Sequence, residues 1–179
     1  MEWLPIHVCE GHILWYNASG KISLWKVDSE GRYVSHVEHG PYGGWSVVNF
    51  TPGRLLWRHT TGRISLWKLG PQNEHVTYRE HGPIPGWNVV GCSGDKLLWR
   101  HDNGAISLWR MNSEGDKVDG VAYGPFTGWN VIGFEGHHIL WQHENGAITI
   151  WLISDDLRLM SDPSHGPHPG WTPKTIGRW

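Results

Sequence analysis

Apolar and polar positions recur along the chain with a period of 42 residues, and the recurrence needs no gaps. Trp3, Trp45, Trp87, Trp129 and Trp171 are 42 apart, as are Trp15, Trp57, Trp99 and Trp141, and Trp25, Trp67, Trp109 and Trp151. Leu14, Leu56, Leu98 and Leu140 precede the second Trp, and Gly20, Gly62, Gly104 and Gly146 follow it by five. The repeats are 3–44, 45–86, 87–128 and 129–170, with 171–179 opening a fifth copy. Self-similarity at this period is a signature of repeat architecture. Within a repeat the pattern predicts four short strands. In the second these are Trp45–Phe50, Arg54–His59, Arg63–Leu69 and a more polar His75–Glu80, separated by Thr-Pro-Gly, Thr-Thr-Gly and Gly-Pro-Gln-Asn. Strands about ten residues apart with turn residues between them indicate antiparallel all-β structure. Asn103-Gly104 and Asn145-Gly146 mark hairpins.

The second and third strands, such as RLLWRH and RISLWKL, are apolar on both faces, as inner strands covered on two sides must be. The fourth is polar, as an edge strand should be. This predicts an all-β fold, a small β-propeller of four 42-residue blades with four antiparallel strands each, in a single domain over 1–179. The copy at 171–179 leaves five first strands for four blades. Pro5 and Pro173 share one column and suit an edge or terminal pairing. Ring closure by terminal strand exchange is the favoured reading. A four-repeat barrel, or two chains joined in a homo-oligomeric larger ring, are its rivals.

Composition narrows the function. The chain has 179 residues with 14 Trp and 3 Phe, so its core rests on indole. A net charge of −2 offers no basic excess, which argues against nucleic acid as a partner. No apolar run approaches the roughly 20 residues of a membrane span, so no membrane insertion is expected. No secretory signal is visible at the start, and Cys9 and Cys92 read as free thiols at blade turns. These two readings leave the compartment open between a cytoplasmic and a non-classically secreted protein.

The 13 His gather in two columns. His59, His101 and His143 align with Asn17, and His39, His81 and His165 with Tyr123. A ring of imidazoles could hold a metal, but Asn and Tyr in the same columns favour side chains that brace repeated turns. No metal or other cofactor is expected. The sequence lacks G-x-S-x-G, a P-loop, H-E-x-x-H and C-x-x-C, so no catalytic residues are assigned and the chain is read as no enzyme.

Repetition favours binding, because copies of one unit multiply weak sites into avidity. Indole faces with polar rims suit sugars. The first Trp column follows Gly and opens a strand, so it is the one expected at the surface, whereas the third is expected in the core. The candidate carbohydrate-binding residues are Trp45, Trp87, Trp129, Trp171, Arg58, Arg100, His59, His101, His143 and Asn17. Two alternatives stand beside a multivalent, lectin-like protein. One is a non-catalytic protein-interaction or structural propeller. The other binds an ion or small ligand in a central channel.

The runs LLWRHTTGRISLWKL with HGPIPGW, and LLWRHDNGAISLWRM with YGPFTGW, resemble a Trp-rich bacterial tandem repeat of the tectonin-like propeller-lectin type. The resemblance spans 3–170 and implies a propeller with glycan binding on or between blades. The WD-type repeat fits less well, since Lys26, Lys68, Arg110 and Leu152 stand where its Asp would be.

Overall fold

The computed structural model describes residues 2–174 and residue 176. Its strands are β1 (Trp3–Cys9), β2 (His12–Asn17), β3 (Ile22–Val27) and β4 (Tyr33–His39) in the first repeat. The second holds β5 (Trp45–Thr51), β6 (Arg54–His59), β7 (Ile64–Leu69) and β8 (His75–His81). The third holds β9 (Trp87–Ser93), β10 (Lys96–His101), β11 (Ile106–Met111) and β12 (Lys117–Tyr123). The fourth holds β13 (Trp129–Glu135), β14 (His138–His143), β15 (Ile148–Ile153), β16 (Leu159–Ser161) and β17 (Ser164–His165). Each repeat forms its own antiparallel meander, and the fold class is all-β with four β-propeller blades. In the last blade β16 and β17 both pair with β15, as two pieces of one outer strand. Pro163 stands in the break, where it has no N–H to give.

All four sheets are completed by strands of their own repeat, β1 pairing with β2 and β13 with β14. Among the described residues, terminal strand exchange therefore completes none of them. Trp171–Lys174 carry no strand. The rest of the expected closing strand, apart from Ile176, lies outside the described residues.

Bulges recur as faithfully as the strands. Each first strand slips by one residue, for example between Pro5 and His7 and between Val131 and Gly133. Each third-to-fourth pairing slips at Val34, Val76, Val118 or Met160, which these registers leave unpaired. The Asn-Gly hairpins differ from a tight two-residue turn. His101 N–H bonds the Ala105 carbonyl at 2.8 Å, and only Gly104, at φ +90°, is left-handed. The Asn103 side chain instead accepts from Ala105 N at 3.0 Å, which makes a longer loop with a glycine bulge the better-bonded choice.

Backbone contacts divide the chain into two compact bodies, Met1–Pro83 with Ser113–Gly115, and Ile84–Asn112 with Asp116–Trp179. In the first body, Leu14, Ile22 and Leu24 of one blade pack with Phe50, Leu55, Trp57 and Leu69 of the next. In the second, Leu98, Ile106 and Leu108 pack with Phe134, Ile139, Trp141 and Ile153. Within each body, the second and third strands of one blade thus pack against a face of the next blade built around its Trp of the second column. That column is the core: Trp57, Trp99 and Trp141 are each 1% exposed. The third column, expected to be core, is half-buried at Trp25, Trp67 and Trp109 and buried only at Trp151. It leans against the second column, with ring centroids 5.0 to 5.4 Å apart. Cys9 and Cys92 form no disulfide. Cys9 ends β1 and Cys92 lies buried within β9, not in a turn.

Candidate functional site

The first Trp column sits opposite the end of the second strand, because the register pairs Trp45 with His59, Trp87 with His101 and Trp129 with His143. The rings meet at 4.9, 5.0 and 5.0 Å. Each imidazole is fixed by its turn. Nδ1 of His59, His101 and His143 accepts the N–H of Thr61, Asn103 and Asn145 at 3.1 to 3.2 Å. Asn17 does the same work in the first repeat, its Oδ1 accepting from Ser19 N at 2.9 Å. The other edge of the imidazole lies against glycine. A Cβ on Gly44, Gly86 or Gly128 would stand 2.5 to 2.6 Å from Nε2, so only glycine fits there.

This packing half-buries Trp45, Trp87 and Trp129. Trp45 is further covered by the Arg63 guanidinium, 5.8 Å from the ring centroid. Trp171 is different: it is 78% exposed. Arg58 is exposed. Arg100 turns along the blade and donates to the Trp129 carbonyl at 3.2 Å and to Asn130 Oδ1 at 2.8 Å. Gln142, in the same column, donates to the Trp171 carbonyl at 2.9 Å.

Gln142 thus repeats towards Trp171 the contact that Arg100 makes towards Trp129. An open cavity of about 460 Å³ lies there, lined by Asn130, Gln142, His143, Asn145, Trp171 and Thr172 among others. Of the residues singled out from the sequence, the structure brings Trp171 and His143 together here. Trp45 with His59, and Trp87 with His101, form separate pairs in other blades, and Asn17 stands alone at its turn. Sequence reasoning left Asn130, Gln142 and Asn145 outside the site. Gln142 shares a hydrogen-bonding column with Tyr16, Arg58 and Arg100, but that column by itself does not mark a cavity.

The second His column has a longer reach than the turn beside it. His39 Nε2 donates to the Asn73 carbonyl at 3.1 Å and His81 to Gly115 at 2.8 Å, both within the first body. In the second body Tyr123 Oη donates to Leu157 O at 2.7 Å and accepts from Leu159 N at 3.1 Å. The carbonyls belong to left-handed residues of one column, Asn73, Gly115 and Leu157. Burial, aided by nearby His75, holds the His39 pKa below the ordinary histidine value, against the opposing effect of its bond to Asn73. His12 is lowered too, by burial and then by Lys26. Among the described residues no three His, Cys, Asp or Glu side chains gather as a metal site would need.

No family model and no curated protein matches the sequence. Solved structures match the fold. Human WBSCR16 aligns with a TM-score of 0.55 at 13% identity, over 84% of this chain and 48% of that one. Yeast RCC1 (Prp20), solved with Kap60 bound, gives 0.54 at 14% identity, over 87% and 47%. A second structure of Prp20p from Saccharomyces cerevisiae gives 0.54 at 13%, over 87% and 48%. The chain spans about half the length of these structural neighbours. At such identities the likeness concerns fold alone, and fold leaves function open.

Proposed function

We propose that this is a non-catalytic, lectin-like protein that binds a carbohydrate at the cavity beside Trp171. One observation carries the reading: an indole 78% exposed stands at a cavity edged by the amides of Asn130, Gln142 and Asn145. The indole face offers an apolar platform for the C–H side of a sugar ring, and the amides supply both donors and acceptors for its hydroxyls. The half-buried Trp45, Trp87 and Trp129 make the corresponding places in other blades weaker, so the reading is of one principal site with lesser copies. Titration with a panel of mono- and disaccharides, followed by calorimetry and indole emission, tests it. A saturable hit in wild type, weakened at least about tenfold in Trp171→Ala with an unchanged circular dichroism spectrum, supports it. No hit at millimolar sugar, or a hit indifferent to Trp171→Ala, overturns it.

A protein-interaction surface is the second reading, and a separate observation favours it. The bulged residues Val34, Val76, Val118 and Met160 are 54 to 63% exposed, one on the outer strand of each blade. Repeated apolar groups of this kind suit a protein partner better than a sugar. The structural neighbour Prp20 was solved with Kap60 bound, and its binding to Gsp1p and histones is described. In this second reading, Val76→Glu abolishes partner capture and leaves sugar titration unchanged.

A further inference from the structure

The amides that edge the Trp171 cavity are not equivalent, because each has one end committed inside the chain. Asn130 Oδ1 accepts from the Arg100 guanidinium at 2.8 Å, which leaves Nδ2 as its uncommitted end. Asn145 Oδ1 accepts from Ala147 N at 2.9 Å, so its Nδ2 also remains to donate. Gln142 is turned the other way. Its Nε2 donates to the Trp171 carbonyl at 2.9 Å, and its Oε1 remains to accept. A side-chain amide holds donors at one end and an acceptor at the other, so the committed end decides which of them a ligand meets.

Charge around the cavity is equally uneven. Among the described residues that line it none is Lys or Arg, and the one acid is Glu144. Glu144 is exposed, and among the described residues its carboxylate makes neither an ion pair nor a hydrogen bond. Its counterpart one repeat earlier, Asp102, has a partner, since its Oδ1 accepts from Asn88 Nδ2 at 3.1 Å. In the fourth blade the corresponding asparagine, Asn130, is bonded to Arg100 instead, and Arg100 is spent on it and on the Trp129 carbonyl. His143 adds no positive charge, because its Nδ1 accepts the Asn145 N–H at 3.2 Å and so carries no proton. The column that holds Arg58 and Arg100 in earlier blades holds the neutral Gln142 here. The cavity therefore offers one carboxylate, an amide acceptor, two amide donors and an exposed indole face.

We propose that this cavity selects a protonated amino sugar, a hexosamine, over neutral and acidic sugars. The inference rests on the carbohydrate reading of the cavity and names its ligand class. The C–H side of the ring lies on Trp171, the ammonium meets the Glu144 carboxylate and Gln142 Oε1, and the hydroxyls take the N–H donors of Asn130 and Asn145. An ammonium has donors and no acceptor, so it needs acceptors around it, and a bond to a carboxylate is stronger than one between neutral groups. The face of an indole attracts positive charge as well. A sugar acid brings its own carboxylate to Glu144 and finds no cation in the lining to offset the repulsion. Because Glu144 is exposed, the preference is modest and is screened by salt.

Calorimetric titration of the full chain with glucosamine, glucose and glucuronate tests the inference, at low ionic strength and at a pH where the amine is protonated. Glucosamine binds at least about threefold more tightly than glucose, glucuronate binds most weakly, and the gap between glucosamine and glucose closes as salt is added. Glu144→Gln removes that gap and leaves the affinity for glucose unchanged. Asp102→Asn, at an acid already bonded to Asn88, keeps the gap. Trp171→Ala weakens glucosamine and glucose alike, which separates the ring platform from the charge. Equal affinity for glucosamine and glucose, or a gap that survives Glu144→Gln, overturns the inference and leaves the carbohydrate reading standing. Methylammonium bound as tightly as glucosamine makes the sugar ring irrelevant and overturns it too. A wild-type protein that binds none of the three sugars removes the inference together with the reading beneath it.

Discussion

The second and fourth blades hold the same fold with different chemistry at the same positions. In the second, Trp67 meets His39, Tyr42 and His75 at 5.4, 5.5 and 4.4 Å and stays half-buried. In the fourth, Trp151 meets Tyr123 and Phe126 at 5.7 and 5.1 Å and is 7% exposed. The latch to the left-handed carbonyl is a histidine in one and a tyrosine in the other. The repeat therefore demands a ring that donates one hydrogen bond at a set distance, and is indifferent to which ring it is. What differs is the consequence. Tyrosine makes a second bond, accepting from Leu159 N, whereas burial holds the His39 pKa below the ordinary histidine value.

The largest expected effect separates the two indoles. Trp151→Ala should cost about 3–5 kcal/mol in denaturant unfolding, and Trp67→Ala clearly less, because the half-exposed ring loses less burial. Equal losses would mean that exposure does not govern this column. Tyr123→Phe comes next, at about 1–3 kcal/mol, since the Leu157 carbonyl and Leu159 N–H both lose their partner. A change below the scatter of the measurement would show water replacing the hydroxyl without loss.

A pH series sharpens the contrast between latches. The folded pKa of His39 is lowered, so the unfolded chain, at about 6.5, takes up a proton first. Its contribution is complete above that pH and is lost as pH falls through the window below it. His39→Tyr should flatten this part of the stability profile, leaving the parallel contribution of His12, which is shifted the same way. An unaltered profile in that variant would assign the dependence elsewhere. The smallest effect concerns the surface. Arg63 and Glu80 pair at 3.1 Å in the second blade, where the fourth has Ala147 and Ser164. Glu80→Ser should cost no more than about 0.5 kcal/mol, and less in high salt, because both groups are well exposed.

The sequence by itself determined the blades. A gapless period of 42, glycines at turns and strands apolar on both faces leave little freedom, and the observed strands of the second repeat match the expected ones within a residue. Periodicity is local information, and it fixes which residues alternate and where the chain turns. It could not say which Trp column is core. The apolar third strand pointed to the third column, yet the choice falls to the second because that strand's indole faces the preceding blade, as Trp57 and Trp141 do within their bodies. Nor could it place the site. Trp171 is one more copy of a column in which Trp45, Trp87 and Trp129 pack on histidines, and its exposure comes from what surrounds it, not from what it is. Arg100 bonds the Trp129 carbonyl and Gln142 that of Trp171, and such bonds have meaning only once the partner segment is in position. Burial and distance belong to pairs of residues far apart in the chain, so only the tertiary structure decides them.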